Sequence, residues 1–217
     1  MTTRIALIHA LTLSIGPSEE AFRTLWPEAE FFNLVDDTLA VERASAGELT
    51  PAIASRITAL ANEARSRGAH GILYTCSAFG AAIDTVSCLS PIPVLKPNEA
   101  MFAEALTFGK HIAMLATFEP SVGSMEAEFE VEAHGSGATI TSICVPEAMA
   151  ALQRGDGAAH DASLAEAAQR PEARGFDALM LAQFSMARAR DAVRAVADAP
   201  VLTSPHSAVL RLKSRLA

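Results

Sequence analysis

The sequence predicts an α/β protein with two pseudo-symmetric lobes, each a mainly parallel sheet flanked by helices, and a ligand cleft between the lobes. Three observations predict this fold. Apolar segments return at a constant spacing along the chain. Short apolar runs alternate with segments of helical periodicity, which is typical of βαβ units. The runs are apolar throughout rather than alternating, as expected for strands that are covered on both faces.

Four pairs of matching segments show the repeat, and the members of each pair are 107 residues apart. Residues 5–8 match 112–115, 72–75 match 179–182, 93–95 match 200–202, and 67–68 match 174–175. A constant spacing indicates two structurally equivalent halves, each of roughly 100 residues, the size of a small domain. We therefore expect lobe one to comprise residues 1–97 with a C-terminal helix at 206–217, and lobe two to comprise residues 98–205.

The apolar runs predict eight strands. They are 4–10, 31–35, 71–76 and 93–96 in lobe one, and 111–116, 139–145, 178–183 and 200–203 in lobe two. Ligands of open parallel sheets bind beyond the carboxyl ends of the strands, near helix N-termini. We therefore expect the functional residues in the loops that follow these strands.

The helix between the second and third strands carries the clearest signals. Thr50 can cap it, Pro51 suits its first turn, and Gly68 supplies the left-handed residue that ends it. Its counterpart at 158–174 contains Pro171, which should kink or shorten that helix because proline lacks an N–H donor. Further helices are predicted from about 78, at 99–109 and at 120–134.

Composition restricts the partners of the chain. The net charge of −8 argues against nucleic-acid binding. Lysine and arginine are scattered, and no apolar run approaches the roughly 18 residues of a membrane span, so we expect no membrane partner. The three cysteines match no zinc-site spacing, and no secretory pattern opens the chain. We expect a cytoplasmic protein without a metal that acts on a small molecule, and the sequence leaves open whether it forms a homo-oligomer.

Cys76 is the leading candidate for chemistry. It ends a buried strand, and the residues after it should open a helix. A thiol there faces the positive end of the helix dipole and unpaired backbone N–H groups, which lower its pKa and favour the thiolate. The alternative is a small buried residue that fills the strand end. Cys88, late on a helix, and Cys144, inside a strand, are interpreted as structural.

These features together resemble the aspartate/glutamate/hydantoin racemase superfamily, which includes arylmalonate decarboxylase and maleate cis-trans isomerase. The resemblance rests on the two lobes, on Thr75-Cys76-Ser77, on Ala116-Thr117, and on residues 200–204. It implies cofactor-free chemistry at a carbon next to a carboxylate or carbonyl. In the racemases, a cysteine from each lobe faces one side of that carbon, so that one thiolate removes a proton and the other thiol returns one.

The chain departs from this pattern at position 183. The repeat places the second cysteine there, but Gln183 stands in its place, and an amide has no titratable proton to shuttle. Three outcomes are open. In the first, Cys76 is the sole acid/base and gives stereospecific protonation after decarboxylation. In the second, it adds to a double bond as a nucleophile. In the third, His9, His206 or Ser185 acts as the second base.

Short hydroxyls beside helix N-termini are candidates for binding a substrate carboxylate. Ser77 and Ser185 follow matched strand ends, and Thr117 follows the first strand of lobe two. His9, at the end of the first strand, and Gln183 complete the set of expected substrate-binding residues.

A second departure concerns the residues that follow Thr117. In the racemases a second hydroxyl usually lies three residues after this threonine. Here Pro120 occupies that position, and Ser121 comes one residue later.

The sequence therefore predicts a cofactor-independent isomerase that acts at the carbon α to a carboxylate of a small acid or amino acid, with Cys76 as the thiolate. The alternative within enzymes is a single-cysteine decarboxylase or cis-trans isomerase. The alternative from another class is a small-carboxylate binding protein that has lost catalysis along with its second cysteine.

Overall fold

Each half of the chain forms its own parallel sheet. The structure is a computed structural model that describes residues 2–216, and it contains two units, residues 2–98 with 208–216 and residues 99–207. Each unit holds one four-stranded sheet in which every pairing is parallel, with helices in the connections. The predicted α/β class, with a parallel sheet in each half, is confirmed.

The first unit has the strand order β2-β1-β3-β4. Its strands are β1 (Arg4–His9), β2 (Glu30–Val35), β3 (Gly71–Tyr74) and β4 (Val94–Leu95). Its helices are α1 (Ile15–Leu25), α2 (Thr38–Ala46), α3 (Pro51–Ser66) and α4 (Gly80–Leu89). As predicted, Thr50 caps α3 by accepting a hydrogen bond from the Ile53 N–H, and Gly68 beyond its end has a φ of +79°.

The second unit repeats this order as β6-β5-β7-β8. Its strands are β5 (His111–Ala116), β6 (Thr139–Cys144), β7 (Ala178–Leu181) and β8 (Val201–Thr203). Its helices are α5 (Glu99–Phe108), α6 (Val122–Glu132), α7 (Pro146–Gln153), α8 (Gly157–Ala168) and α9 (Arg190–Arg194). The last helix, α10 (Ser204–Leu216), supplies residues 208–216 to the first unit.

The strand registers show where the repeat is strict and where it slips. Ile5 pairs with Gly71, and Ile112 pairs with Ala178, so both members of the pair are displaced by 107 residues. In the outer pairing, Ile5 faces residue 31 and Ile112 faces residue 140, a displacement of 109 (140 − 31). The second unit therefore has two more residues before β6 and two fewer after it. Surface connections absorb such changes while the buried strands keep their register.

Helix boundaries differ from the predictions where proline or a tight turn intervenes. The helix predicted at 158–174 ends at Ala168, and Pro171 begins a separate 3-10 turn that closes at Ala173. The predicted shortening at Pro171 is thus correct, but the predicted span is too long. The final helix begins at Ser204 rather than at 206, and the segment 120–134 becomes α-helical only from Val122.

Each unit has its own apolar core on the faces of its sheet. Ile8, Ile57 and Ile83 are buried in the first unit, where the buried Tyr74 hydroxyl donates a 2.7 Å hydrogen bond to the Ile57 carbonyl. Met114 and Phe129 are buried in the second. Within residues 2–216, every helix falls short of the length and apolar character that a bilayer crossing requires.

Candidate functional site

Cys76 lies at the carboxyl end of the first sheet. It is the second residue after β3, has extended backbone angles (φ −131°, ψ 121°), and precedes a 3-10 helix at Ser77–Phe79 that continues into α4. Its side chain makes no capping bond to that helix. The residue is half-buried, as is Ser77. The strand thus delivers the thiol to the place where a parallel sheet presents its ligand-binding edge.

A buried polar network lies beside Cys76 in the first unit. The Nδ1 atom of His9 lies 2.9 Å from the hydroxyl oxygens of both Ser14 and Thr75. The Nε2 atom of His9 lies 2.9 Å from Oδ1 of Asn33, whose Nδ2 donates a 2.7 Å bond to Glu19. Because Thr75 directly precedes Cys76, this network holds the backbone at the strand end that carries the thiol.

The network determines the protonation of His9. A carboxylate such as that of Glu19 only accepts, so the Asn33 amide must turn its nitrogen to Glu19 and its oxygen to His9. His9 Nε2 therefore carries the proton, and Nδ1 accepts from a hydroxyl. Burial is the main cause that lowers the pKa of His9 below 6.5, and the bond to Asn33 and the charge of Glu19 oppose it in part. The imidazole is neutral, and both of its nitrogens are already engaged by the protein.

Gln183 occupies the equivalent strand end in the second unit. It is the second residue after β7, is also extended (φ −101°, ψ 149°), and precedes a 3-10 helix at Phe184–Ala189. Its Oε1 accepts two hydrogen bonds from Thr117, from the backbone N–H at 3.0 Å and from the hydroxyl at 3.1 Å. Its Nε2 donates to the Ser121 hydroxyl at 3.1 Å. The structure thus brings together Gln183 and Thr117, two residues that the sequence predicts independently as substrate-binding residues.

The two units use equivalent positions for different networks. Ser14 and Ser121 stand 107 residues apart, and each is a hydrogen-bond partner at its own strand ends. The repeat places Ala116 where the first unit has His9, and Ala182 where it has Thr75. The imidazole network therefore has no counterpart in the second unit, where the polar contacts run through residue 183 itself.

In the described part of the chain, Ser142 lacks the hydrogen-bond partner that the imidazole network would supply. It aligns with Asn33 through the 109-residue displacement of β6 from β2. Its hydroxyl oxygen is buried and has no hydrogen-bond partner among residues 2–216. With Ala116 in place of the imidazole, the partner that Asn33 finds in the first unit is missing.

The remaining selected residues lie at the same carboxyl ends. Ser185 is half-buried in the 3-10 helix that follows Gln183. His206, on α10, has its Nδ1 atom 2.8 Å from the Thr203 hydroxyl at the end of β8. Cys88, interpreted as structural, is exposed on α4 rather than buried. Ser14, Asn33 and Ser121 were not selected from the sequence, although the 107-residue spacing of the two serines was a usable signal.

Cys144 has an acidic side chain beside its thiol. It is the last residue of β6 and is half-buried. Burial, followed by hydrogen bonding to and the charge of the Glu119 carboxylate, raises the pKa of its thiol to about 11. This thiol is therefore protonated at neutral pH. Glu119 lies in the 3-10 turn after β5, and the sequence alone gives no sign that it meets Cys144.

Among the described residues, no three His, Cys, Asp or Glu side chains are grouped so that they could hold a metal ion. The polar groups at the carboxyl ends of the two sheets include hydroxyls, amides, the imidazoles of His9 and His206, and the half-buried thiols of Cys76 and Cys144. Such groups can bind an anion by hydrogen bonds and can move a proton.

The comparisons with known proteins agree with this geometry. The sequence matches the Asp/Glu/Hydantoin racemase family over residues 19–138, which is more than half of the chain. No match is found among curated proteins.

Solved structures show the same fold. A glutamate racemase from Bacillus anthracis superposes with a TM-score of 0.73 at 15% identity, covering 99% of this chain and 81% of the other. An allantoin racemase from Klebsiella pneumoniae gives 0.72 at 17% identity, covering 98% and 86%. A mutant of arylmalonate decarboxylase in a liganded form gives 0.67 at 16% identity, covering 100% and 94%. The likeness extends over nearly the whole chain.

Proposed function

Because the chain belongs to the Asp/Glu/Hydantoin racemase family, we propose that it is a cofactor-independent isomerase. Its substrate is a small acid or amino acid, and it transfers a proton at the carbon α to the carboxylate. Cys76 is the acid/base. The observation that carries this proposal is the position of Cys76, a half-buried thiol at the end of β3 directly before a helix.

The position suits a thiolate. The first backbone N–H groups of the 3-10 helix that begins at Ser77 have no partners earlier in the helix, and their dipoles favour a negative charge at Cys76. The thiolate would remove the α-proton, which leaves a thiol and an enediolate. If the same thiol returns a proton, the substrate exchanges its proton with retention of configuration. Net isomerisation requires return of a proton on the opposite face by a second group, for which His206 and Ser185 are the candidates. Both steps balance without an oxidant, a reductant or a further reactant.

We propose that the hydroxyls and backbone N–H donors at the strand ends bind the substrate carboxylate and stabilise the enediolate. Ser77 in the first unit and Ser185 in the second carry such donors. Thr117 and Gln183 were expected in the same role, but they bond each other, so Thr117 serves a carboxylate only when the Gln183 side chain moves away. His9 was included among these binding residues, but its nitrogens are occupied by Thr75, Ser14 and Asn33. We therefore assign it the role of holding Thr75, and through it the Cys76 backbone.

A second candidate function is favoured by Gln183. An amide at the position that repeats Cys76 leaves one thiol in the pair of equivalent sites, and one thiol suffices for a decarboxylase that protonates a single face or for a cis-trans isomerase. The similarity of the fold to an arylmalonate decarboxylase is compatible with this chemistry. A small-carboxylate binding protein without catalysis is the alternative outside enzymes.

A panel of small acids tests these proposals together. Aspartate, glutamate, hydantoins, maleate and aryl malonates would be assayed for optical rotation, for exchange of the α-proton with deuterium and for CO2 release. If the chain is an isomerase, at least one acid should be turned over. This turnover should be lost in Cys76→Ser and retained in Cys88→Ser, a change at an exposed cysteine. Binding without any turnover would favour the binding protein.

A further inference from the structure

The Gln183 carboxamide fills a binding position made by Thr117. Both donors of Thr117, its N–H and its hydroxyl, converge on the single oxygen Oε1 of Gln183. We propose that Gln183 is an internal substitute for a ligand carboxylate, which keeps the Thr117 donors closed and weakens the binding of small carboxylates. This inference rests on the proposed function only in taking a small carboxylate as the ligand.

The amide is held from both ends. A backbone N–H can only donate, so the atom that faces Thr117 N must be the amide oxygen. Nε2 then donates to Ser121, whose hydroxyl donates a 2.8 Å bond to the Phe118 carbonyl. These bonds leave Oε1 with both Thr117 donors and fix the orientation of the side chain.

A carboxylate is the ligand that best matches the covered donors. An ionised oxygen accepts the same two hydrogen bonds as the amide oxygen, and charge-assisted bonds are about twice as strong as neutral ones. Thr117 is only 2% exposed, so a carboxylate reaches its donors only when the Gln183 side chain moves away. The affinity for a carboxylate is therefore lowered by the bonds that the amide gives up.

The first unit has different residues at these two positions. The residue that aligns with Thr117 is Ala10, which has no hydroxyl, and the residue that aligns with Gln183 is Cys76. Of these two aligned positions, Thr117 offers a backbone and a hydroxyl donor to the residue at 183, whereas Ala10 offers no hydroxyl donor. Replacement of a thiol by glutamine thus changes two properties at once, because it removes a titratable proton and adds an acceptor for Thr117.

Binding of succinate, measured by calorimetry, tests the proposal. The variants are made in the Cys76→Ser background so that no turnover interferes. Gln183→Ala frees both donors, and we expect succinate to bind about tenfold more tightly, which corresponds to about 1.4 kcal/mol. Gln183→Glu supplies an internal carboxylate, and we expect binding at least about tenfold weaker because a charged acceptor is retained more strongly and repels the ligand. Gln153→Ala, an exposed glutamine at the end of α7, should leave the affinity unchanged.

A second change identifies the donors. In the Gln183→Ala background, Thr117→Val keeps the N–H but removes the hydroxyl. This change should abolish most of the succinate affinity that Gln183→Ala gained. The amide resonance of Thr117 should shift with succinate in Gln183→Ala and much less in the parent. Equal affinity for succinate in the parent and Gln183→Ala, or tighter binding by Gln183→Glu, would overturn the proposal, as would a gain that persists in Thr117→Val.

These outcomes are separable from the fate of the proposed function. A gain in succinate affinity in protein that exchanges no substrate proton would support the role of Gln183 and reject the catalytic proposal. Proton exchange by the parent enzyme, without any gain in succinate affinity in Gln183→Ala, would support the catalytic proposal and reject the role of Gln183.

Discussion

Cys76 and Gln183 occupy the same position in two copies of one fold. Each lies two residues beyond the third strand of its sheet, has an extended backbone, and precedes a 3-10 helix. The two side chains differ in what they can do, since a thiol ionises and an amide only donates and accepts hydrogen bonds. The duplicated fold has therefore kept its geometry at this point while its chemistry has become asymmetric.

The three cysteines should react at very different rates with iodoacetamide. We expect Cys76 to label well below the ordinary thiol pKa of about 8.5, because the following helix favours its thiolate. Cys144 should label slowly, since its pKa is raised to about 11 by burial and by Glu119. Exposed Cys88 is the internal reference, and peptide mass spectrometry at several pH values measures all three. Equal rates at Cys76 and Cys88 would contradict the helix argument.

Glu119→Gln should make Cys144 more reactive. The carboxylate hydrogen-bonds the thiol and repels the thiolate, so its neutralisation lowers the pKa of Cys144, although the larger effect of burial persists. We expect a several-fold higher labelling rate of Cys144 at pH 8.5, with Cys88 unchanged. Glu132→Gln, a change at an exposed residue at the end of α6, serves as the control. An unchanged rate at Cys144 would show that burial alone controls this thiol.

The stability of the first unit should depend on pH through His9. Burial lowers the pKa of His9 in the folded protein below 6.5, so below pH 6.5 the unfolded chain binds a proton that the folded protein does not. The free energy of unfolding should therefore fall as the pH drops below about 6.5 towards the folded pKa, by at most about 1.4 kcal/mol per pH unit. Urea unfolding between pH 5 and 8 measures this slope.

His9→Gln should remove this pH dependence and also lower stability at pH 8, because Ser14, Thr75 and Asn33 lose a shared partner. His134→Gln, at an exposed position, is the matched control and should keep the slope. An identical slope in His9→Gln would show that another group is responsible. The carboxyl groups with lowered pKa values, Glu19, Asp36 and Asp177, titrate below this window.

The sequence was sufficient for the features that depend on local pattern. Buried strands such as β1, β3 and β5 are continuous apolar runs, and their constant spacing revealed the duplication. Capping of α3 by Thr50 followed from local chemistry. The partners of Gln183 did not, because Thr117 and Ser121 lie more than 60 residues away in the chain and meet it only when β5 and β7 pair.

The contacts of His9 and Cys144 could not be predicted from the sequence. His9 was considered a substrate ligand because it ends a strand, but the sequence gives no indication that Asn33 and Thr75 engage both of its nitrogens. Cys144 was considered structural because it lies inside a strand, and its neighbour Glu119 comes from a turn 25 residues earlier (144 − 119). The contacts of His9 arise from the pairing of β1 with β2 and β3, and that of Cys144 from the pairing of β5 with β6.

The stereochemical course of α-proton exchange in D2O tests the central claim, that the Cys76 thiol removes the α-proton, most directly. For the acid that the parent protein turns over, we predict deuterium incorporation that depends on Cys76. Retention of configuration is expected where one thiol removes and returns the proton on one face, and inversion where a second group returns it on the other face. Gln183→Cys should allow inversion, since it places a second acid/base at the position that repeats Cys76, and Cys76→Ser should abolish exchange. Exchange that persists in Cys76→Ser would contradict the account.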